Sequence, residues 1–174
     1  MGGAAQPRGR ELTREQVRAL MTWAEERGLV HHARKTKPVD ARPANPGEVI
    51  ETAVAGEGKE VRSRPAKAGD WVVRNRSAAT GNEQYLVSRA AFAKRYESTG
   101  KPAEPDGWQE HRPLGKVMRF FVLPPEHEEF HFEAPWGEKM RARPGDAILQ
   151  DPDDPGDTYR VAAAAFAGTY EVLD

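Results

Sequence analysis

The strongest constraint on this 174-residue chain is that it carries one motif twice. Tyr85-Leu86-Val87-Ser88-Arg89-Ala90-Ala91-Phe92-Ala93-Lys94-Arg95-Tyr96-Glu97 aligns with Tyr159-Arg160-Val161-Ala162-Ala163-Ala164-Ala165-Phe166-Ala167-Gly168-Thr169-Tyr170-Glu171. Eight of these thirteen positions are identical at a constant offset of 74. Upstream, Gly69-Asp70-Trp71-Val72-Val73 stands against Gly145-Asp146-Ala147-Ile148-Leu149. Further up, Gly58-Lys59-Glu60-Val61-Arg62-Ser63-Arg64-Pro65 matches Gly137-Glu138-Lys139-Met140-Arg141-Ala142-Arg143-Pro144 at an offset of 79, which Lys37 and Lys116 share. An alanine-rich composition can produce chance identities, but not matched Tyr, Val, Phe, Tyr and Glu positions together. The duplication therefore has to be explained first. A unit of about sixty residues buries only ~60 % of its unfolded surface, so two units packed together are safer than either alone.

Each copy reads as short strands separated by turns. The first should have extended segments at 38–42, 49–54, 60–64, 71–74 and 84–87, the second at 117–123, 130–133, 139–143, 147–150 and 158–161. The Gly-Asp pairs before Trp71 and Ala147 suit tight turns, since glycine supplies a positive φ and aspartate bonds the adjacent backbone. Phe92 and Tyr96, like Phe166 and Tyr170, lie one helical turn apart, so a short helix would press both rings onto the strands. In front, Thr13-Arg14-Glu15-Gln16 is a capping box, and Val17, Leu20, Met21 and Ala24 form one apolar stripe. Gly28 can end that helix, which spans residues 14–27. The expected fold is mainly β in the α+β class. It comprises an N-terminal arm and helix (1–32), a β unit (33–98), a linker (99–111) and a second β unit (112–174). Each unit would be a small SH3-like barrel or β-roll of about five strands with a short C-terminal helix; one mixed sheet shared by both is the alternative.

Lys35-Thr36-Lys37-Pro38-Val39-Asp40-Ala41, Glu51-Thr52, Gly69-Asp70-Trp71-Val72-Val73, Tyr85-Leu86-Val87 and Phe92…Tyr96-Glu97 together resemble the PGDYG-type small proteins of bacteria and their phages. The resemblance covers residues 33–98 and, more weakly, 112–172. Ala68 stands where that pattern has proline, and Ala147 where it has an aromatic residue. The resemblance implies a fold unit and no catalytic residues.

The chain has no cysteine, which removes disulfides, thiolate nucleophiles and Cys-based zinc sites, and fits a reducing cytoplasm. No run approaches ~20 consecutive apolar residues, and the first residues lack the apolar run of a signal peptide, so neither membrane nor secretory pathway is expected. Residues 1–98 hold 18 Lys+Arg against 12 Asp+Glu, whereas residues 99–174 hold 8 against 15. The positive half could meet an anionic partner such as nucleic acid, the negative half of another copy in a homo-oligomer, or its own second half. It has no dense basic run, which favours the last.

Chemistry-bearing residues concentrate at Pro125-Glu126-His127-Glu128-Glu129-Phe130-His131-Phe132-Glu133. On a strand, His127, Glu129, His131 and Glu133 would share one face, with the phenylalanines on the other. These are the ligand types of a divalent metal site without thiolates, with His127 and His131 as its imidazoles, or of a general acid/base pair. Arg62, Arg64, Arg141 and Arg143 recur between the copies and could bind phosphate or pair with the recurring carboxylates. Trp136 could stack a flat ligand. Asp70 and Asp146 should serve their turns, and Glu97 and Glu171 should anchor the short helices. The acidic run Asp151–Asp157 lacks the order of a calcium loop and reads as a hairpin loop. No complete catalytic set or nucleotide-binding glycine motif is present. The expectation is a binding or accessory protein without resident cofactor. Its ligand (a small molecule, nucleotide or protein partner) would lie between the β units, near His127, His131, Glu129, Glu133, Trp136, Arg141 and Arg143. The alternative is a small metal-assisted or His/Glu acid–base enzyme acting on a nucleotide-like or phosphorylated substrate.

Overall fold

A computed structural model describes residues 10–53, 60–76, 83–135 and 139–174. Strand β1 (Arg10–Glu11) leads into helix α1 (Arg14–Glu26) through the capping box. The Thr13 hydroxyl accepts from the Gln16 amide at 3.1 Å, and Gln16 Oε1 accepts from the Thr13 amide at 2.8 Å. Gly28, at φ +69°, turns the chain out of the helix. The stripe buries Val17, Met21 and Ala24 against Phe121, Leu123, Phe130, Phe132 and Ile148.

The first half continues with β2 (His31–Lys35), β3 (Val39–Pro43), β4 (Glu51–Ala53), β5 (Glu60–Arg62), β6 (Trp71–Asn75), β7 (Gln84–Val87), α2 (Arg89–Arg95) and β8 (Tyr96–Ser98). The second half comprises β9 (Gln109–Pro113), β10 (Met118–Val122), β11 (Phe130–Glu133), β12 (Lys139–Ala142), β13 (Ala147–Asp151), β14 (Asp154–Val161), α3 (Ala163–Thr169) and β15 (Tyr170–Val172). Two five-stranded sheets result, ordered β7-β6-β3-β9-β8 and β14-β13-β10-β2-β15. Position for position, the two orders match. All their pairings are antiparallel. The hairpin β4–β5 has its counterpart in β11–β12, to which β1 adds in parallel.

The leading strands are exchanged. β2 precedes β3 in the chain yet lies between β10 and β15 of the second sheet. β9 precedes β10 yet lies between β3 and β8 of the first. An ion pair crosses each strand pair so formed. Arg112 Nε meets Glu97 at 2.7 Å, and Arg34 lies 3.7 Å from Glu171. Glu97 and Glu171 thus face the exchanged strands instead of anchoring the short helices. The same insertion explains why, among the described residues, neither sheet closes into an SH3-like barrel. β8 and β15 are spent on the incoming strands, so each sheet stays open. No helix among the described residues is long and apolar enough to cross a membrane.

Matched core positions are filled by different residues. In the first sheet Trp71 stacks on Phe92, with ring centroids 4.2 Å apart, and Ala41 is the small neighbour. In the second, Phe120 replaces Ala41 and packs on Phe166 at 4.7 Å, while Ala147 replaces Trp71. One large ring per core is retained, brought by β6 in one copy and by β10 in the other. Close packing demands conserved volume, not conserved residues. The turns match more closely. Asp70 accepts from the Lys67 amide at 2.8 Å and Asp146 from the Arg143 amide at 2.9 Å, each after a positive-φ glycine, Gly69 or Gly145.

The charge asymmetry is largely spent inside the molecule. Helix α2 sends Lys94 to Asp151, Asp154 and Asp157, and Arg95 to Asp157, all on the β13–β14 hairpin. Arg14 meets Glu133 and Arg76 meets Glu110 in the same sense. The acidic run is a docking surface for α2.

Candidate functional site: a tyrosine-lined cleft between the sheets

Strand alternation places Tyr85 of β7 beside the buried Leu86, and the turn from α2 into β8 presents Tyr96. Their counterparts Tyr159 and Tyr170 leave β14 and the end of α3 in the same way. The chain has four tyrosines, and all four line one cleft of about 120 Å3 between the sheets. Met118, Met140 and Val161 add apolar wall, and seven cations face it against three carboxylates.

The two hydroxyl pairs are alike in spacing. Tyr85 and Tyr96 oxygens lie 3.3 Å apart, Tyr159 and Tyr170 oxygens 3.4 Å. Their surroundings differ. Lys35, carried in by the exchanged β2, donates to the Tyr96 hydroxyl at 2.7 Å, to the Tyr85 hydroxyl at 3.0 Å and to Asn75 Oδ1 at 3.4 Å. All three acceptors are neutral. Glu83 also lines this end: it accepts from Asn75 Nδ2 at 3.1 Å, and its charge helps to raise the Tyr85 phenol. At the other end Arg95 lies over the Tyr159 ring, 4.4 Å from its centroid, and is held by Asp157. Asp151, at the position equivalent to Asn75, is shared by Lys94 and Lys116 at 3.0 Å each.

Proton affinities follow these contacts. Burial alone would push the Tyr96 phenol up, but the Lys35 ammonium, aided by Tyr85 and Arg95, outweighs burial and holds it below the ordinary phenol value. Burial, then Tyr96, pushes Tyr85 well above that value. Burial does the same to Tyr170 and, more modestly, raises Tyr159. Asp151 resists the upward push of burial because Lys94, the Asp153 amide and Lys116 hold its carboxylate below the usual range.

Of the ligand and catalytic candidates expected from sequence, Arg141 is the one among the described residues that lines this cleft; Trp136 lies outside the described residues. Strand β11 spans Phe130–Glu133, as expected, so the longer strand that would have put His127 and Glu129 on one face with His131 and Glu133 does not form. His127 sits in the preceding turn, its Nδ1 2.7 Å from the Glu128 carbonyl and its ring edge-on to Trp23. Glu129 is taken by Arg141 and Glu133 by Arg14. Accordingly no group of three or more potential metal-ligating side chains forms among the described residues. Arg62 pairs with Glu51 at 2.8 Å, Arg64 with Asp70 at 2.8 Å, and Arg143 gives its backbone amide to Asp146. Lys35 and the tyrosine hydroxyls were missed because the repeated rings read as packing. The available signal was that every tyrosine in the chain falls at a repeated position.

No protein-family model, curated protein or solved structure matches this chain.

Proposed function

We propose that this protein is a non-enzymatic binding protein whose ligand site is the cleft between the two five-stranded sheets. The reading rests on one observation. Where the sheets face each other the protein keeps an opening lined by all four of its tyrosines and by seven cations, instead of filling it with aliphatic side chains. Enclosed polar groups converging on an apolar-walled cleft are what a small-molecule site requires. The tandem, PGDYG-like organisation fits the same reading, since two related sheets create the opening by facing each other.

Methionine methyl resonances test it with an internal control. Met118 and Met140 line the cleft, whereas Met21 sits on the buried face of α1. Small molecules that raise the melting temperature in a thermal screen should shift the Met118 and Met140 methyls and leave Met21 in place. Hits that move Met21 alone would defeat the proposal.

A second reading, an acid–base enzyme, draws support from the lowered proton affinity of Tyr96 beside Lys35. That reading moves the chemistry away from the His127/Glu129/His131/Glu133 stretch.

A further inference from the structure

Taking the cleft as a ligand site, we propose that its ligand is a small organic carboxylate held by Lys35 with the hydroxyls of Tyr85 and Tyr96. Charge accounting points there. Among the cations lining the cleft, Lys94 and Lys116 share Asp151, Arg95 meets Asp157, Arg141 meets Glu129 and Arg160 meets Asp146 at 2.9 Å. Lys139 approaches Glu11 at 4.0 Å. Among the described residues Lys35 donates to neutral oxygens alone, with its ammonium over the Tyr85 and Tyr96 rings. A half-buried ammonium with three neutral acceptors gains from exchanging one of them for an anion, because charge-assisted hydrogen bonds are about twice as strong as neutral ones.

The charge of the ligand follows. Lys35 has no carboxylate in direct contact among the described residues, and Glu83 already places one negative charge near this end. A singly charged carboxylate therefore suits the site better than a phosphate ester, which carries about −1.5 to −2 near pH 7. The contact between Tyr85 and Tyr96 uses one phenolic proton and leaves a second to donate to the other carboxylate oxygen. The downward pull on Tyr96 has the same origin, since its phenol lies 2.7 Å from Lys35 and can become negative. Tyrosine rings together with Met118 and Met140 form the remaining wall, which suits a flat apolar body behind the carboxylate.

Benzoate, benzamide and phenyl phosphate form the test set, because the first two share shape and differ in charge. Calorimetry on the full chain should find benzoate binding, with Met118 and Met140 methyl shifts, and benzamide weaker by at least about tenfold. Lys35→Met keeps the aliphatic stem and should weaken benzoate by a similar factor. Asn75→Asp, which offers Lys35 the carboxylate that Asp151 supplies at the other end, should do likewise. The benzoate–benzamide comparison uses the unaltered protein, so it stands even if a variant folds poorly. Equal affinity for benzamide would overturn the carboxylate assignment while leaving the cleft a ligand site, and phenyl phosphate binding tighter than benzoate would overturn it in favour of a more highly charged ligand. If none of the three moves either cleft methyl, the assignment and the binding reading fall together.

Discussion

The two ends of the cleft are the same construction carrying different charges. Each has a tyrosine pair set by a strand and by the exit of a short helix, with hydroxyls 3.3 or 3.4 Å apart. At the Tyr159/Tyr170 end, cations and carboxylates cancel through Arg95–Asp157 and the two lysines on Asp151. At the Tyr85/Tyr96 end asparagine occupies the aspartate's position, and among the described residues the hydrogen-bond acceptors of Lys35 are neutral. Strand order and tyrosine spacing match at the two ends, and a few polar positions make the difference: one end is a charged joint between the halves, the other presents Lys35 to the neutral Asn75, Tyr85 and Tyr96.

The largest effect should come from the core rings that support these ends. Trp71→Ala removes the ring stacked on Phe92 and should cost about 3–5 kcal/mol in denaturant unfolding. Adding Ala41→Phe copies the second sheet, where the ring comes from the middle strand, and should recover about 1 kcal/mol or more. A double variant less stable than Trp71→Ala would show that the two cores are not interchangeable.

Next comes the charge joint. Asp151 has a side chain only 1 % exposed, and Asp151→Ala removes the carboxylate that Lys94 and Lys116 share, leaving Lys94 with Asp154 and Asp157 and Lys116 with Asp153. A loss of about 1–3 kcal/mol is expected, falling as acid already protonates the wild-type carboxylate. Because the folded protein holds Asp151 below its ordinary proton affinity, this stability is present above about pH 4 and is lost as pH falls through the lowered value. Equal stability of variant and wild type at neutral pH would mean the joint is ornamental.

Alkaline titration compares the two ends directly. Tyr85, Tyr159 and Tyr170 are raised, so their contribution is complete below about pH 10 and is lost as pH rises beyond it. Tyr96 is lowered and acts in the opposite sense, gaining as pH approaches 10. Melting temperature should therefore fall above about pH 10, and the gain that wild type shows as pH approaches 10 should be missing in Tyr96→Phe. Phenolate absorbance should show one tyrosine ionising ahead of the other three. Four phenols titrating together would erase the distinction between the ends.

The smallest effect is expected at the exposed pairs Arg112–Glu97 and Arg34–Glu171. Glu97→Ala and Glu171→Ala should each cost less than about 1 kcal/mol. A larger loss at either would assign these pairs a specific role in holding the exchanged strands.

Much of this architecture was readable in the amino-acid pattern. The capping box at Thr13, the paired turns at Asp70 and Asp146, and ten strand segments appear where alternation and turn residues put them. The exchanged strands were not readable. His31-His32-Ala33-Arg34-Lys35 and Gln109-Glu110-His111-Arg112-Pro113 bury little beyond their central residue, Ala33 or His111, so neither shows an apolar face. Partner choice is a long-range property that alternation does not encode. The Lys35 cluster was hidden for the same reason, because Lys35 reaches Tyr85 and Tyr96 from a strand that belongs to the other sheet.

The exchange also sets a timetable for folding. As the chain leaves the ribosome, β3 lacks one neighbour until Gln109–Pro113 has emerged. β2 has no neighbour in its sheet until β10 is made, and its second contact, Tyr170 against Lys35, waits for nearly the last residues. Such distant pairings raise contact order and slow the search. Neither half excised at 99–108 would carry a complete sheet; mixed as separate fragments, the halves should complement one another.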